Sequence, residues 1–140
     1  MPIDNFPFTE IGGGKSGPFL HIRIINPHTG LNFLTSGLID TGADQCAIPA
    51  LYAPMLGHDL CAVSPKKIYT GNGETNAYAH TTKFEILHPN DHQKIIYTTE
   101  NTPVDFMPNL SVTLLGVENF LGKFILNINY PQKTFSIKYP

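Results

Sequence analysis

The chain has 140 residues, room for one domain and too few for two ordinary ones. Only 14% are charged, nine Lys+Arg against eleven Asp+Glu, and a net charge of −2 speaks against nucleic acid, which needs a basic field. Twelve Pro and twelve Gly leave no room for a long helix, and no apolar run approaches the ~20 residues of a membrane helix, so a mostly β, soluble domain away from the membrane is expected.

Residues 1–18 read as an irregular N-terminal segment, with three prolines and the run Gly12-Gly13-Gly14. The domain proper is expected over 19–140. Leu20, Ile22 and Ile24 alternate with His21 and Arg23, which is the pattern of a half-buried strand. Asn26-Pro27-His28-Thr29-Gly30 is a turn, and Leu31 to Ile39 should be the hairpin partner. Asp40-Thr41-Gly42-Ala43-Asp44 ends that strand. Ala50 to Leu56 suits one short helix, with Pro49 near its start and Pro54 limiting it.

Val63 to Tyr69 and Thr75 to Leu87 read as two strands joined through Gly71-Asn72-Gly73, residue types that accept a positive φ. His88-Pro89-Asn90-Asp91 is the next turn, and Lys94 to Thr99 is β-branched and strand-like. Val112 to Leu115 is a short buried strand ending at Gly116, and Val117 to Gly122 suits a helix of one to two turns. Phe124, Leu126, Ile128 and Tyr130 share one parity, as do Phe135, Ile137 and Tyr139, so the chain ends in a hairpin turning at Tyr130-Pro131-Gln132-Lys133.

Several motifs carry less than they promise. Cys46 and Cys61 are too few for a disulfide framework and read as reduced core thiols. No basic n-region and apolar h-region is visible at the N-terminus, so a cytoplasmic location is expected, where the Asn109-Leu110-Ser111 sequon would have no consequence. Gly14-Lys15-Ser16 has Thr9 where a phosphate-binding loop needs its first Gly, and Gly17-Pro18 follows instead of a helix, so a flexible loop is expected. His88 and His92 are four apart, but Pro89-Asn90-Asp91 makes that segment an exposed hairpin tip and not a metal site.

Leu38-Ile39-Asp40-Thr41-Gly42-Ala43 carries the chemistry. Two apolar residues lead a strand out of the core and an acid stands at its end. Gly42 allows close backbone approach, so amide N–H groups can hold the carboxylate, and Thr41 brings a hydroxyl that can lock the loop. Far downstream, Leu114-Leu115-Gly116 follows a buried strand and can pass beneath that loop. The hairpin with the Gly-rich tip lies between the two.

This order resembles the retroviral-type aspartic proteases, the retropepsins, over residues 19–139. The resemblance implies a small closed all-β barrel-like acid protease fold with a flap hairpin and one or two short helices. It implies that Asp40 is the catalytic acid and that Thr41 bonds across a dimer. Gly42 would offer its carbonyl to an extended peptide or protein substrate. Ala43 and Asp44 would bind it together with the flap-tip residues Thr70, Gly71, Asn72 and Gly73. In viral members an Arg commonly follows the second-motif glycine and pairs with the acid matched by Asp44. Val117 stands there in this chain, so Asp44 must be solvated or find another cation, for which Lys15 and Arg23 are the candidates. The segment between the motifs is also longer than in the smallest viral members. With Met1 at its start, the chain is expected to be a stand-alone cellular member.

One chain carries one Asp-Thr-Gly, while the chemistry needs two carboxylates, so a homodimer is expected to supply the second Asp40. Two carboxyls about 3 Å apart share one proton. One takes a proton from water as that water attacks the scissile carbonyl, and the other donates to the carbonyl oxygen. No metal and no cofactor is required. The alternatives are a catalytically silent dimeric peptide-binding module of the same fold, and a trimeric nucleotide hydrolase. The latter also carries Ile-Asp, a small residue and Gly on a β scaffold, but needs phosphate-binding motifs that this chain lacks.

Overall fold

The computed structural model describes residues 1–71 and 73–140. Asn72, expected at a hairpin tip, lies outside the described residues. The chain is mostly β, as expected. Its strands are β1 (Ile3–Pro7), β2 (Thr9–Gly12), β3 (Lys15–Gly17), β4 (Phe19–Ile25), β5 (Asn32–Ile39), β6 (Ala47–Pro49), β7 (Lys66–Thr70), β8 (Gly73–His88), β9 (Asp91–Thr98), β10 (Thr102–Met107), β11 (Thr113–Leu115), β12 (Ile125–Asn129) and β13 (Thr134–Lys138).

The main sheet runs β10-β6-β11-β5-β4-β8-β7, with β9 also on β8. A second pairing of β10 with β8 closes it into a ring, with β7 and β9 paired on β8 outside that closure. The 16-residue β8 makes this closure possible. Its last residues pair with β4 (Ile22↔Ile86), its middle with β10 (Val104↔His80), and its start with β7 (Thr70↔Gly73). Ile22, Ile24, Phe84, Ile86, Phe106 and Leu115 fill the ring and are fully buried. The alternation read in β4 therefore sorts side chains as expected: Leu20, Ile22 and Ile24 point inward while His21 and Arg23 are half-buried.

The N-terminal segment corrects the reading. Residues 1–18 are not irregular: β1 joins β13 and β12 in a three-stranded sheet (Ile3↔Ile137, Phe6↔Phe135), and β2 pairs with β3. The Gly14-Lys15-Ser16 segment, read as a flexible loop, runs from a hairpin turn at Gly13-Gly14 into β3, and Gly12, Gly13 and Gly14 all have positive φ. The strand β10 also goes beyond the sequence reading. Pro103 falls where β10 has β8 as a partner on one side, because pairing with β6 starts at Asp105, an edge position of the kind where a strand tolerates proline.

The helical content is four short 3-10 turns among the described residues. Ala50 to Leu56 splits into two, Ala50–Tyr52 and Pro54–Leu56, because Pro54 has no N–H to continue the first. Asn26, buried, ties this segment to the β4–β5 turn: its Nδ2 donates to the Leu56 carbonyl at 2.7 Å and its Oδ1 accepts from His28 N–H. Val117 to Gly122 is not a helix of one to two turns. It is a wide turn in which Leu121 N–H donates to the Gly116 carbonyl and Gly122 N–H to that of Val117, and only Leu121–Lys123 is 3-10. Among the described residues no helix is long and apolar enough to cross a membrane.

Candidate active site

Asp40 follows directly on β5, and its position is set by what lies beside that strand. β11 runs parallel to β5 (Leu114↔Leu38, Leu115↔Ile39) and antiparallel to β6 at Leu114↔Ala47. The loop 40–46 thus leaves the sheet on one side of β11 and re-enters on the other. The Asp40 N–H donates to the Leu115 carbonyl at 3.1 Å, so the acid is anchored to the end of β11.

The chain then passes beneath the loop, as Leu114-Leu115-Gly116 suggested. Val117 N–H donates to the Ala43 carbonyl and Glu118 N–H to the Asp44 carbonyl, at 3.0 and 2.7 Å. A Cβ on Gly116 would lie 2.4 Å from the Gln45 carbonyl carbon and oxygen, so only glycine fits. Cys46 N–H donates to Asn119 Oδ1 at 2.7 Å, Gln45 Nε2 to Glu118 Oε2 at 3.1 Å, and Gly116 N–H to Cys46 Sγ at 3.3 Å. Burial pushes the Cys46 thiol up to about 11 against the opposing pull of that Gly116 N–H, which keeps it an inert thiol. Cys61, expected in the core, is exposed; both cysteines are free.

Within the loop, Gly42 N–H donates to Asp40 Oδ1 at 3.0 Å, the amide grip anticipated from the glycine. Asp40 is half-buried, while Thr41, Gly42 and Asp44 are exposed. No ion pair to Asp44 occurs among the described residues. Arg23, one candidate partner, is engaged by Glu85 at 2.8 Å, so the solvated alternative holds in the single chain.

Asp40, Gly42, Ala43 and Asp44 line a cleft of about 580 Å³ whose other wall is the β7–β8 hairpin, including Thr70 and Gly71. Two segments far apart in sequence thus meet across one space. Thr41 and Gly73 are not part of its wall. The turn is fixed by Thr70 Oγ1, which donates to the Gly73 carbonyl at 3.0 Å, and Gly73 takes a φ of +103°. The floor is apolar, from Ala47, Ile68, Met107 and Leu114. Sequence reasoning missed the cleft's ion pair, Lys66 on β7 with Asp105 on β10, 2.9 Å apart. An acid set between Val104 and Phe106 in an apolar run was the available signal.

No family model and no curated protein matches this sequence. Among solved structures it is similar to a retropepsin-like aspartic protease from Rickettsia conorii, at 22% identity over 86% of this chain and 89% of that one, with a TM-score of 0.57. At that identity the likeness carries the fold: this chain is built on the all-β, retropepsin-like scaffold.

Proposed function

We propose that the chain is an aspartic endopeptidase that acts as a homodimer, with Asp40 from each copy forming the catalytic pair. The observation that carries this reading is the position of Asp40, half-buried at the wall of the cleft and held by β11 and by the Gly42 N–H. A single carboxylate serves poorly as both acid and base for amide hydrolysis, and a two-fold axis beside the loop supplies the second. The paired carboxyls share a proton and titrate as a unit. One activates the attacking water and the other protonates the carbonyl oxygen. Thr41, exposed beside Asp40, is free to bond across the axis, and the β7–β8 hairpin with Thr70, Gly71, Asn72 and Gly73 serves as the flap.

The terminal sheet is the natural dimer contact. β12 is one of its two edge strands, and it follows in sequence the Val117-Glu118 segment that bonds to Ala43 and Asp44 of the Asp40 loop. Val117 and Ile125 present apolar surface there, 38% and 47% exposed. The test is a peptide-library digest across about pH 3–8, wild type beside Asp40→Asn. Asn keeps the oxygen that accepts from Gly42 N–H but cannot carry the shared proton, so the variant should fold and fail to cleave. Equal cleavage by both would remove Asp40 from the mechanism.

A further inference from the structure

We propose that Asp105 selects a basic side chain in the bound peptide, with Lys66 as the resident counter-ion that this side chain displaces. The inference rests on the endopeptidase reading for its context and on the Lys66–Asp105 pair for its content. Asp105 is fixed: β10 is held by β8 on one side and by β6 on the other at this residue. Its side chain is only 9% exposed, and its Oδ1 lies 2.9 Å from Lys66 Nζ. A carboxylate so placed needs a cation.

Its partner is of a different kind. The Lys66 side chain is 50% exposed and stands on β7, which among the described residues has a strand partner only in β8. Its flexible stem and half-hydrated ammonium can swing into water at little cost, since the charge regains its hydration. The pair faces both the main cleft and an adjoining hollow of about 380 Å³, where Glu118 and Gln45 also stand. A peptide side chain that passes the Met107 and Leu114 floor therefore reaches it.

Charge decides which side chain gains. Among the described residues lining the two spaces, Asp40, Asp44, Asp105 and Glu118 are acidic and Lys66 is the one base. That field draws a cation and repels an anion. An Arg or Lys side chain can replace Lys66 at Asp105 without leaving the carboxylate unpaired. A Glu would face Asp105 and Glu118, and an apolar side chain would leave the existing pair in place with nothing gained.

The experiment compares Arg with citrulline, which has the same shape and no charge, at each position flanking the cleaved bond of a good library peptide. The wild-type chain should prefer Arg at one position by about tenfold or more in kcat/KM, the scale of one hydrogen bond to a charged group. Asp105→Asn should bring that ratio to about one. Lys66→Met should raise it, through a lower KM for the Arg peptide, because the peptide then supplies the missing cation. A merely structural ion pair would instead lower activity toward both peptides alike. Equal use of Arg and citrulline at every position, or a preference that survives Asp105→Asn, overturns the proposal. If Asp105→Asn does not fold, the direction of the Lys66→Met effect decides. The same peptides are also followed by fluorescence anisotropy. Binding that prefers Arg without cleavage would fault the hydrolytic reading and keep this one, whereas no Arg preference in either assay overturns the selection.

Discussion

Replacing Gly116 with Ala tests the load on the Asp40 loop most directly. The new Cβ would sit 2.4 Å from both the carbonyl carbon and oxygen of Gln45, and 2.9 Å from the Ala43 oxygen. These are backbone atoms, so no rotamer change relieves the overlap, and the loop itself must lift. Lifting it strains or breaks the bonds from Val117 N–H to Ala43, Glu118 N–H to Asp44 and Cys46 N–H to Asn119, worth about 1 kcal/mol each. Overpacking of this kind costs about 1–3 kcal/mol where the surroundings can move, so about 3 kcal/mol is expected here. For a chain of this length that is a drop of about 10 °C in Tm. Asp40 heads the same loop, and a displacement of about 1 Å should lower kcat by about a hundredfold. Urea denaturation, a thermal melt and peptide hydrolysis read the three quantities. Gly71→Ala is the control: its Cβ would meet nothing within 4 Å, so its stability should stay within about 0.5 kcal/mol of wild type. A Gly116→Ala chain melting within about 2 °C of wild type would refute the argument that the loop rests on this glycine.

Further outcomes are expected. Gly73→Val places a β-branched residue at a φ of +103° in open space, so it should impair peptide cleavage more than the unfolding midpoint; equal losses, or none, would make the hairpin ordinary structure. Activity per chain should fall on dilution, and the dimer should persist in about 1 M NaCl because apolar strand contacts, not exposed ion pairs, hold it; sedimentation of a fully active monomer would end the shared-site model. His58 and His80 stack with ring centres 4.7 Å apart beside Phe106. Burial lowers both from the ordinary 6.5, with their mutual repulsion and His28 adding for His58, and Asp59 opposing for His80. The unfolded chain thus takes up protons that the folded chain refuses, and stability should be lost as pH falls below about 6.5. The urea midpoint should drop between about pH 7.5 and 5.5 by more in the wild type than in a His58→Gln, His80→Gln chain; equal drops would show that the pair does not carry this dependence.

The sequence by itself determined what is local. Alternation in Leu20-His21-Ile22-Arg23-Ile24 gave β4 its face, and Asn-Gly and Pro-led turns placed the hairpins, because both depend on neighbouring φ, ψ and side-chain direction. Asp40, Gly42 and Gly116 were legible for the same reason, since tight turns and close approach leave few residue choices. Long-range pairing was not legible. β1 is a strand only because β13, at the other end of the chain, offers it Ile137 and Phe135. β10 was not read as a strand because Pro103 interrupts it at an exposed position and Asp105 is an acid among its four buried last residues, placed there by an ion pair from another strand. The threading of β11 between β5 and β6, which aims Asp40 into the cleft, leaves no mark in any single segment. Nor does the Lys66–Asp105 pair, whose partners lie on strands brought together by the closure of β8 on β10. A residue's neighbours across a barrel are set by register summed over every strand between them, and only the assembled ring contains that sum.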